Sequence, residues 1–498
     1  MTEHVDVIVV GAGISGIGTG YHLQARCPDR TYMILEGRAA MGGTWDLFRY
    51  PGIRSDSDMH TLGFAFHPWT AAKSIADGPS IRAYVEETAR EYGIDRKIRY
   101  GHHVKSAAWS TEDARWTVEA TGPDGPVTLT CNFLSMCAGY YNYAKAYSPE
   151  FDGADSFAGR IVHPQFWPED LDYSGKRVVV IGSGATAVTL VPTMAQTAAH
   201  VTMLQRSPTY IVARPGEDRV ANWLRGKLPS KAAYGITRWK NVLMGMFFYR
   251  LARKKPAKVK ERMIGMVRDH LGPDYDVATH FTPRYNPWDQ RVCLVPDGDL
   301  FAAINAGNAS IVTDTIARIT PDGIRLDSGK DLPADVIVTA TGLELQLMSG
   351  VAFSLDGQPI ELAGRLQYKG MMFDGVPNLS STFGYTNASW TLKADLTAIY
   401  MCRLLNTMTK RGLRQATPYN DDPTMKSESF LDFTSGYVQR AAASLPTQGE
   451  RKPWKLNQNY ALDVLALKFG SIDDAMRFSN PGRSKDGRST DAGTLQTA

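Results

Sequence analysis

Two glycine-rich turns constrain this chain more than any other feature. Val5-Asp-Val-Ile-Val-Val10 leads into Gly11-Ala-Gly-Ile-Ser-Gly16, and Arg177-Val-Val-Val-Ile181 leads into Gly182-Ser-Gly-Ala-Thr-Ala187. Each turn follows a β-branched run of the kind found in buried parallel strands. After the first turn, Ile14, Ile17 and Tyr21 recur at helical spacing. In that context G-x-G-x-x-G/A is the phosphate-binding turn of a βαβ unit. The first glycine makes the turn, the second lets backbone approach a pyrophosphate, and the third position packs helix against strand. The helix N-terminus then offers unpaired N–H groups to phosphate. Gly11, Gly13, Ser15 and Gly16 form one candidate dinucleotide site. Gly182, Ser183, Gly184, Ala185, Thr186 and Ala187 form the other, with Ala187 in the place of the third glycine. Two such units predict an α/β chain with two Rossmann-like domains, and the segment joining them must set how they face each other.

The strand ends distinguish the two sites. Tyr32-Met-Ile-Leu35 ends in Glu36, a carboxylate placed for ribose hydroxyls. Aligned by strand ends, Val201-Thr-Met-Leu204 puts Gln205 there, followed by Arg206 and Ser207. Losing the carboxylate removes repulsion against a 2′-phosphate, and an arginine holds one by charge-assisted bonds. The second site therefore reads as one for NADPH rather than NADH.

Three further stretches carry chemistry. Gly42-Gly-Thr-Trp45 is followed by Asp46 and Leu47, then by Tyr50-Pro-Gly-Ile-Arg-Ser-Asp56. Flavin disulfide reductases are similar up to Gly-Gly-Thr44 but continue into a close pair of cysteines. Here Trp45 stands in that place and the next cysteine is Cys131, which argues against dithiol chemistry. Between the two turns lies Phe157-Ala-Gly-Arg-Ile-Val-His-Pro-Gln-Phe-Trp-Pro168, with the pattern F-x-G-x-x-x-H-x-x-x-W. Further on comes Asn286-Pro-Trp-Asp-Gln-Arg-Val-Cys-Leu-Val-Pro296.

With these motifs the chain resembles the Baeyer–Villiger monooxygenases, flavoproteins that insert one atom of O2 beside a ketone carbonyl. The resemblance covers nearly the whole chain. It implies FAD in the first site and NADPH in the second. Cofactor contacts are expected from Gly43, Thr44, Trp45, Asp46, Leu47, Arg54, Ser55 and Asp56, and from the backbone of Val104. Arg291 matches the family's catalytic arginine by position and order, and Asp56 is expected to position it beside the flavin. Many members carry a lysine just before that arginine, where this chain has Gln290, leaving Arg206 as the main support for NADPH. The implied reaction converts a ketone to an ester or lactone through a C4a-peroxyflavin, with sulfide or thioamide S-oxygenation by the same enzyme. The alternatives are an S- or N-oxygenating flavin monooxygenase without a catalytic arginine, a plain NADPH oxidase, and a non-enzymatic redox sensor. The expected division puts 1–143 and 343–479 in a FAD-binding domain and 144–215 and 286–342 in an NADP-binding domain. Residues 216–285 form a helical insertion in the latter, and 480–498 a disordered tail. Residues 384–390, Gly-Tyr-Thr-Asn-Ala-Ser-Trp, are expected near the flavin, whereas His102 and His103 read as exposed strand residues.

Composition bounds the partners. Five cysteines without a close-set pair point to a reducing, cytoplasmic setting, and Met1-Thr-Glu-His4 runs straight into a strand, so no signal peptide is expected. A net charge of +4 hides a basic block: residues 219–268 hold fourteen Lys and Arg against Glu261 alone, so the rest of the chain is net acidic. This block, with Trp223, Trp239 and Val242-Leu-Met-Gly-Met-Phe-Phe-Tyr249, reads either as a lid over the active site or as a peripheral membrane contact. No nucleic-acid module accompanies the charge, and no metal cluster is expected.

Overall fold

A computed structural model describes residues 2–290, 292–431 and 435–481. Most of the expected tail, residues 482–498, lies outside the described residues. The first glycine turn opens a nine-stranded sheet. Its strand β1 (Glu3–Val10) runs parallel to β2 (Tyr32–Leu35), with Val7 opposite Tyr32, and β2 runs parallel to β3 (Ile98–Arg99). Helix α1 (Ile14–Arg26) crosses between β1 and β2. A meander of β4 (His103–Ser110), β5 (Arg115–Gly122) and β6 (Gly125–Met136) lies on the other side. Residues 101–109 and 116–119 read from the sequence as strands of a small sheet. The twelve-residue β6 instead pairs antiparallel with β5 at its start and parallel with β1 at its end, so these strands belong to the nine-stranded sheet. Alternate residues of β1 feed two cores, Val7 and Val9 one and Ile8 and Val10 the other, as expected for strands covered on both faces.

The second turn opens a five-stranded, all-parallel sheet. Its order is β13 (Ala309–Thr313), β10 (His200–Gln205), β9 (Arg177–Ile181), β14 (Val336–Thr339) and β8 (Arg160–Val162), and α2 (Ala185–Met194) follows the turn. The basic segment leaves this unit after β11 (Tyr210–Arg214) and returns at β12 (Val292–Pro296), and these two strands pair with each other in parallel. Between them run α3 (Arg219–Arg225), α4 (Ser230–Lys254) and α5 (Pro256–Leu271). Pro229 and Pro256 break the segment by starting helices, the one at the N-cap of α4 and the other in the first turn of α5. Helix α6 (Asp299–Asn305) follows β12. The chain then returns to the first unit: residues 352–355 pair with β4, 379–381 pair with β6, and α7 (Trp390–Arg411) packs along α1.

Both crossings between the units pair in one ribbon, β7 (Tyr141–Ala146) antiparallel to β15 (Leu343–Leu345). The F-x-G-x-x-x-H-x-x-x-W linker is tied to that ribbon. His163 Nδ1 accepts from the Gln165 N–H at 3.1 Å, so Nε2 carries the proton and donates to Gly342 O at 3.3 Å. Gln165 Nε2 donates to the carbonyls of Asn142 (2.8 Å) and Tyr143 (3.3 Å) on the other crossing. A Cβ at Gly159 would stand 2.2 Å from Asp335 O, so only glycine lets the linker pass there. Trp167 packs onto the core of the second unit.

Burial lowers the pKa of His163, with the Gly342 bond acting against it. An imidazole held neutral in this way contributes stability that is present above the ordinary histidine pKa of about 6.5 and is lost as the pH falls below it. His163→Ala should therefore cost about 1–2 kcal/mol near pH 8, and the gap from the unaltered protein should close in acid. Thermal melts of both proteins across that range check this; a gap constant with pH would contradict it.

Candidate active site

A single cavity of about 1760 Å³ lies between the nine-stranded sheet, the helical insertion and β12. That is well above the roughly 300–1,000 Å³ of an ordinary small-molecule pocket, leaving room for a cofactor and a second ligand together. Gly11, Gly13, Ser15, Glu36, Gly43, Thr44, Trp45, Ser55, Asp56 and Val104 all line it.

At the first glycine turn the wall is bare backbone. Gly13 is the N-cap of α1 with no side chain closing the helix, so its first N–H groups remain available for phosphate. Gly184 stands in the same way at the N-terminus of α2. Both cradles fit the pyrophosphate of a dinucleotide. Glu36 is buried, and its two oxygens accept the N–H groups of Ala12 (2.7 Å) and Arg38 (2.9 Å). Burial raises its pKa, and those two bonds and the Arg38 charge pull the other way. Ser15 Oγ accepts the Trp390 indole N–H at 2.6 Å, and Trp390 stacks on Tyr140 at 5.1 Å; of residues 384–390, all but Gly384 line the cavity.

Four predicted contact residues take other places. Gly16, Asp46, Leu47 and Arg54 do not line the cavity. The Asp46 carboxylate, 2% exposed, faces Arg38 (2.5 Å), Arg49 (3.1 Å) and Arg82 (3.0 Å). Its observed work is to hold Arg38, which does line the cavity and whose guanidinium lies 5.9 Å from the Tyr143 ring. Leu47 packs into the core of the second unit together with Phe48, Tyr50 and Ile53. Arg54 forms a two-pronged ion pair with Asp299 on α6, bolting this loop to the other unit. Tyr50, its hydroxyl pushed up to about 12 by burial, bonds the side chain of Thr186 in the second glycine turn. The sequence singled out neither Arg38 nor Tyr143; the only local sign of Arg38 is its place two residues after Glu36.

Asp56 is exposed at the cavity wall. Arg291 lies outside the described residues; its neighbours Trp288 and Val292 line the same cavity. Gly182 to Ala187, Arg206 and Ser207 lie apart from the cavity, at the ends of β9 and β10. There Arg206 and Ser207 are exposed, and Ser183 Oγ donates to Ser207 O at 3.1 Å, joining turn to strand end. Gln205 is buried, its amide nitrogen spent on His280 O (2.8 Å) and Thr313 Oγ1 (2.9 Å). It therefore offers the nucleotide no counterpart to the Glu36 carboxylate.

The insertion closes the remaining side with Val242, Met244, Met246 and Phe248 of α4 and Val259, Met263 and Met266 of α5, joined by Asn457 to Tyr460. It is locked to the flavin-type unit by Arg238, which is 5% exposed. Arg238 Nη1 donates to the carbonyls of His60 (2.9 Å), Thr61 (3.3 Å) and Gly63 (2.7 Å), and Nη2 lies 3.5 Å from Asp395 Oδ2 on α7. The other Asp395 oxygen faces His22 Nε2 of α1 at 3.4 Å. Burial alone would raise the Asp395 pKa; the His22 bond and the His22 and Arg238 charges outweigh it and leave it lowered.

Two dinucleotide cradles clasped together beside one large cavity define a flavin-dependent oxidoreductase. The chain is 55% identical over 481 residues to the FAD-containing monooxygenase EthA of Mycobacterium tuberculosis, covering 96% of this chain and 98% of that protein. To EthA of Mycolicibacterium smegmatis it is 54% identical over 475 residues, 95% of this chain and 96% of that one. The chain thus belongs to the FAD-containing monooxygenases. A family model described as pyridine nucleotide-disulphide oxidoreductase matches residues 8–232. The disulphide part of that description finds no counterpart among the described residues, where all five cysteines are free and buried. Among solved structures, the fold is shared with oxidized steroid monooxygenase bound to NADP (TM-score 0.74, 22% identity, 96% of this chain and 100% of that one). It is shared equally with the open form of cyclohexanone monooxygenase (TM-score 0.73, 20% identity, 96% and 100%).

Proposed function

We propose that this monooxygenase is of the Baeyer–Villiger type, using NADPH and O2 to convert apolar ketones to esters or lactones and oxygenating sulfides or thioamides as well. The observation that carries the reading is a convergence. Gly43-Thr44-Trp45, Ser55-Asp56 and the stretch on either side of Arg291, remote from one another in sequence, meet at one cavity. FAD, when bound and reduced by NADPH, supplies the oxygen-transfer chemistry. The protein's part is to hold the two nucleotides, exclude water and stabilise negative charge as it develops on the ketone oxygen. Asp56, which lines that cavity, orients Arg291 for that task. The reading includes a peripheral membrane contact through residues 219–268.

The test is product analysis of the FAD-loaded enzyme with a simple ketone and a sulfide. Ester from the ketone is expected; sulfoxide without ester would put the enzyme among the S- or N-oxygenating flavin monooxygenases instead. NADPH should be preferred to NADH, and Arg206→Ala should raise the KM for NADPH by at least about tenfold, the scale of one lost bond to a charged group. The KM for NADH should stay nearly unchanged. Equal use of both nucleotides by the unaltered enzyme would remove Arg206 from this role.

A further inference from the structure

We propose that the outer face of the insertion seats the mouth of the cavity on an anionic lipid bilayer, so that apolar substrates enter from the lipid. The docking surface takes up the membrane contact of the reading above, and the entry route rests on its oxygenase chemistry.

Helix α4 carries a stripe that points away from the protein. Ile236, Trp239, Leu243 and Phe247 follow one another at i, i+3, i+7 and i+11, and they are 51%, 43%, 55% and 61% exposed. Single exposed apolar side chains are ordinary, whereas an uninterrupted line of four along one helix marks a surface that something covers. The same spacing continues into Arg250 and Lys254, so the stripe ends in two cations. A second element extends it. The Trp239 ring lies 5.5 Å from that of Tyr460, beyond which Leu462, Leu465 and Phe469 stand exposed, Phe469 at 73%.

Charge selects the occupant. Lys227, Lys231 and Lys254 are exposed away from the cavity, Arg250, Lys255 and Lys258 are exposed where they also line it, and among the described residues none of the six pairs with a carboxylate. Apolar and aromatic residues on one side, with unpaired cations around them, make up a helix that lies in the headgroup region of an anionic membrane. A second copy of this chain docking face to face would set these cations against themselves, because a two-fold contact repeats the same patch on both sides. No helix among the described residues is long and apolar enough to cross a membrane, so the contact is with its surface.

The ridge borders the cavity mouth. Met244 and Phe248 of α4 line the cavity and are also 44% and 41% exposed, which places an opening beside the stripe. Tyr460 belongs both to the ridge and to the cavity wall. A membrane lying on the ridge therefore covers that opening.

The test is co-sedimentation of the FAD-loaded protein with phosphatidylglycerol vesicles and, separately, phosphatidylcholine vesicles, at about 50 mM and about 500 mM salt. Binding is expected to phosphatidylglycerol only, with release at the higher salt. The double variant Leu243→Ser/Phe247→Ser should lower the partition coefficient at least about tenfold, and so should Lys231→Glu/Lys254→Glu. All these positions are exposed, so FAD content and helical circular dichroism should be unchanged. Turnover of a long-chain ketone dissolved in the vesicles should fall with binding, while turnover of a short water-soluble ketone should not. Absence of vesicle binding at low salt overturns the docking surface. So does a concentration-dependent dimer in sedimentation velocity that the Leu243/Phe247 variant abolishes. Vesicle binding with no ketone turned over in either form leaves the surface standing and overturns the oxygenase reading. Equal loss on both ketones overturns the lipid route.

Discussion

Replacing Arg291 by Ala should cut ketone oxygenation by at least about a hundredfold, the scale on which removal of one oxyanion donor acts. The variant should keep its FAD, because the Gly11 turn and the Glu36 carboxylate that braces it are untouched. Flavin reduction by NADPH should slow but remain measurable, since Arg206 does not line the cavity and is untouched by the substitution. Sulfide oxygenation develops no negative charge on a carbonyl oxygen and should suffer much less. The contrast between the two substrates is therefore the informative reading. Lysine should rescue only in part, because a point charge on a flexible stem cannot replace a planar fork. Steady-state rates on a ketone and a sulfide, with FAD content measured first, decide the matter. Ketone turnover near the unaltered level would mean that Arg291 is not the stabilising cation.

The second large effect is expected at Arg238, far from the chemistry. Arg238→Met should destabilise the protein by about 3–5 kcal/mol, because it leaves the buried Asp395 carboxylate without its cation and the carbonyls of His60, Thr61 and Gly63 without their donor. Adding Asp395→Leu should recover only part of this. The pair of charges is then gone together, yet the three carbonyls are still orphaned. The lock also has a pH sign. A carboxylate with a lowered folded-state pKa contributes stability that is present above its unfolded value of about 3.9 and is lost as the pH falls through the folded value. Denaturant unfolding followed by flavin fluorescence measures both variants; a single variant within about 0.5 kcal/mol of the unaltered protein would show that the lock carries no weight.

What could be read from the sequence was whatever is local in the chain. A βαβ phosphate turn needs its glycines, its strand and its helix within some thirty residues, so both turns stood out, as did the loss of the acidic strand end at Gln205. Residues 42–56 were legible as one motif, but not the division of labour within it. Asp46 meets Arg38, Arg49 and Arg82, and Arg54 meets Asp299, only once the chain has folded. The His22–Asp395–Arg238 lock draws one side chain each from the start, the end and the middle of the chain. No spacing rule joins such residues. The cavity wall supplied by α4 and α5 was visible only as a composition, because packing against a ligand imposes no period beyond that of the helix itself.

The pairing of β11 with β12 has a consequence for how such an enzyme diversifies. The whole insertion is one overgrown crossover between two neighbouring parallel strands, so both its ends are held by the sheet whatever lies between them. The cavity wall that the insertion carries thus behaves as a cassette hung between two fixed anchors. A change in its length or sequence leaves both anchor strands in place, provided that Arg238, which docks it beside α7, is kept.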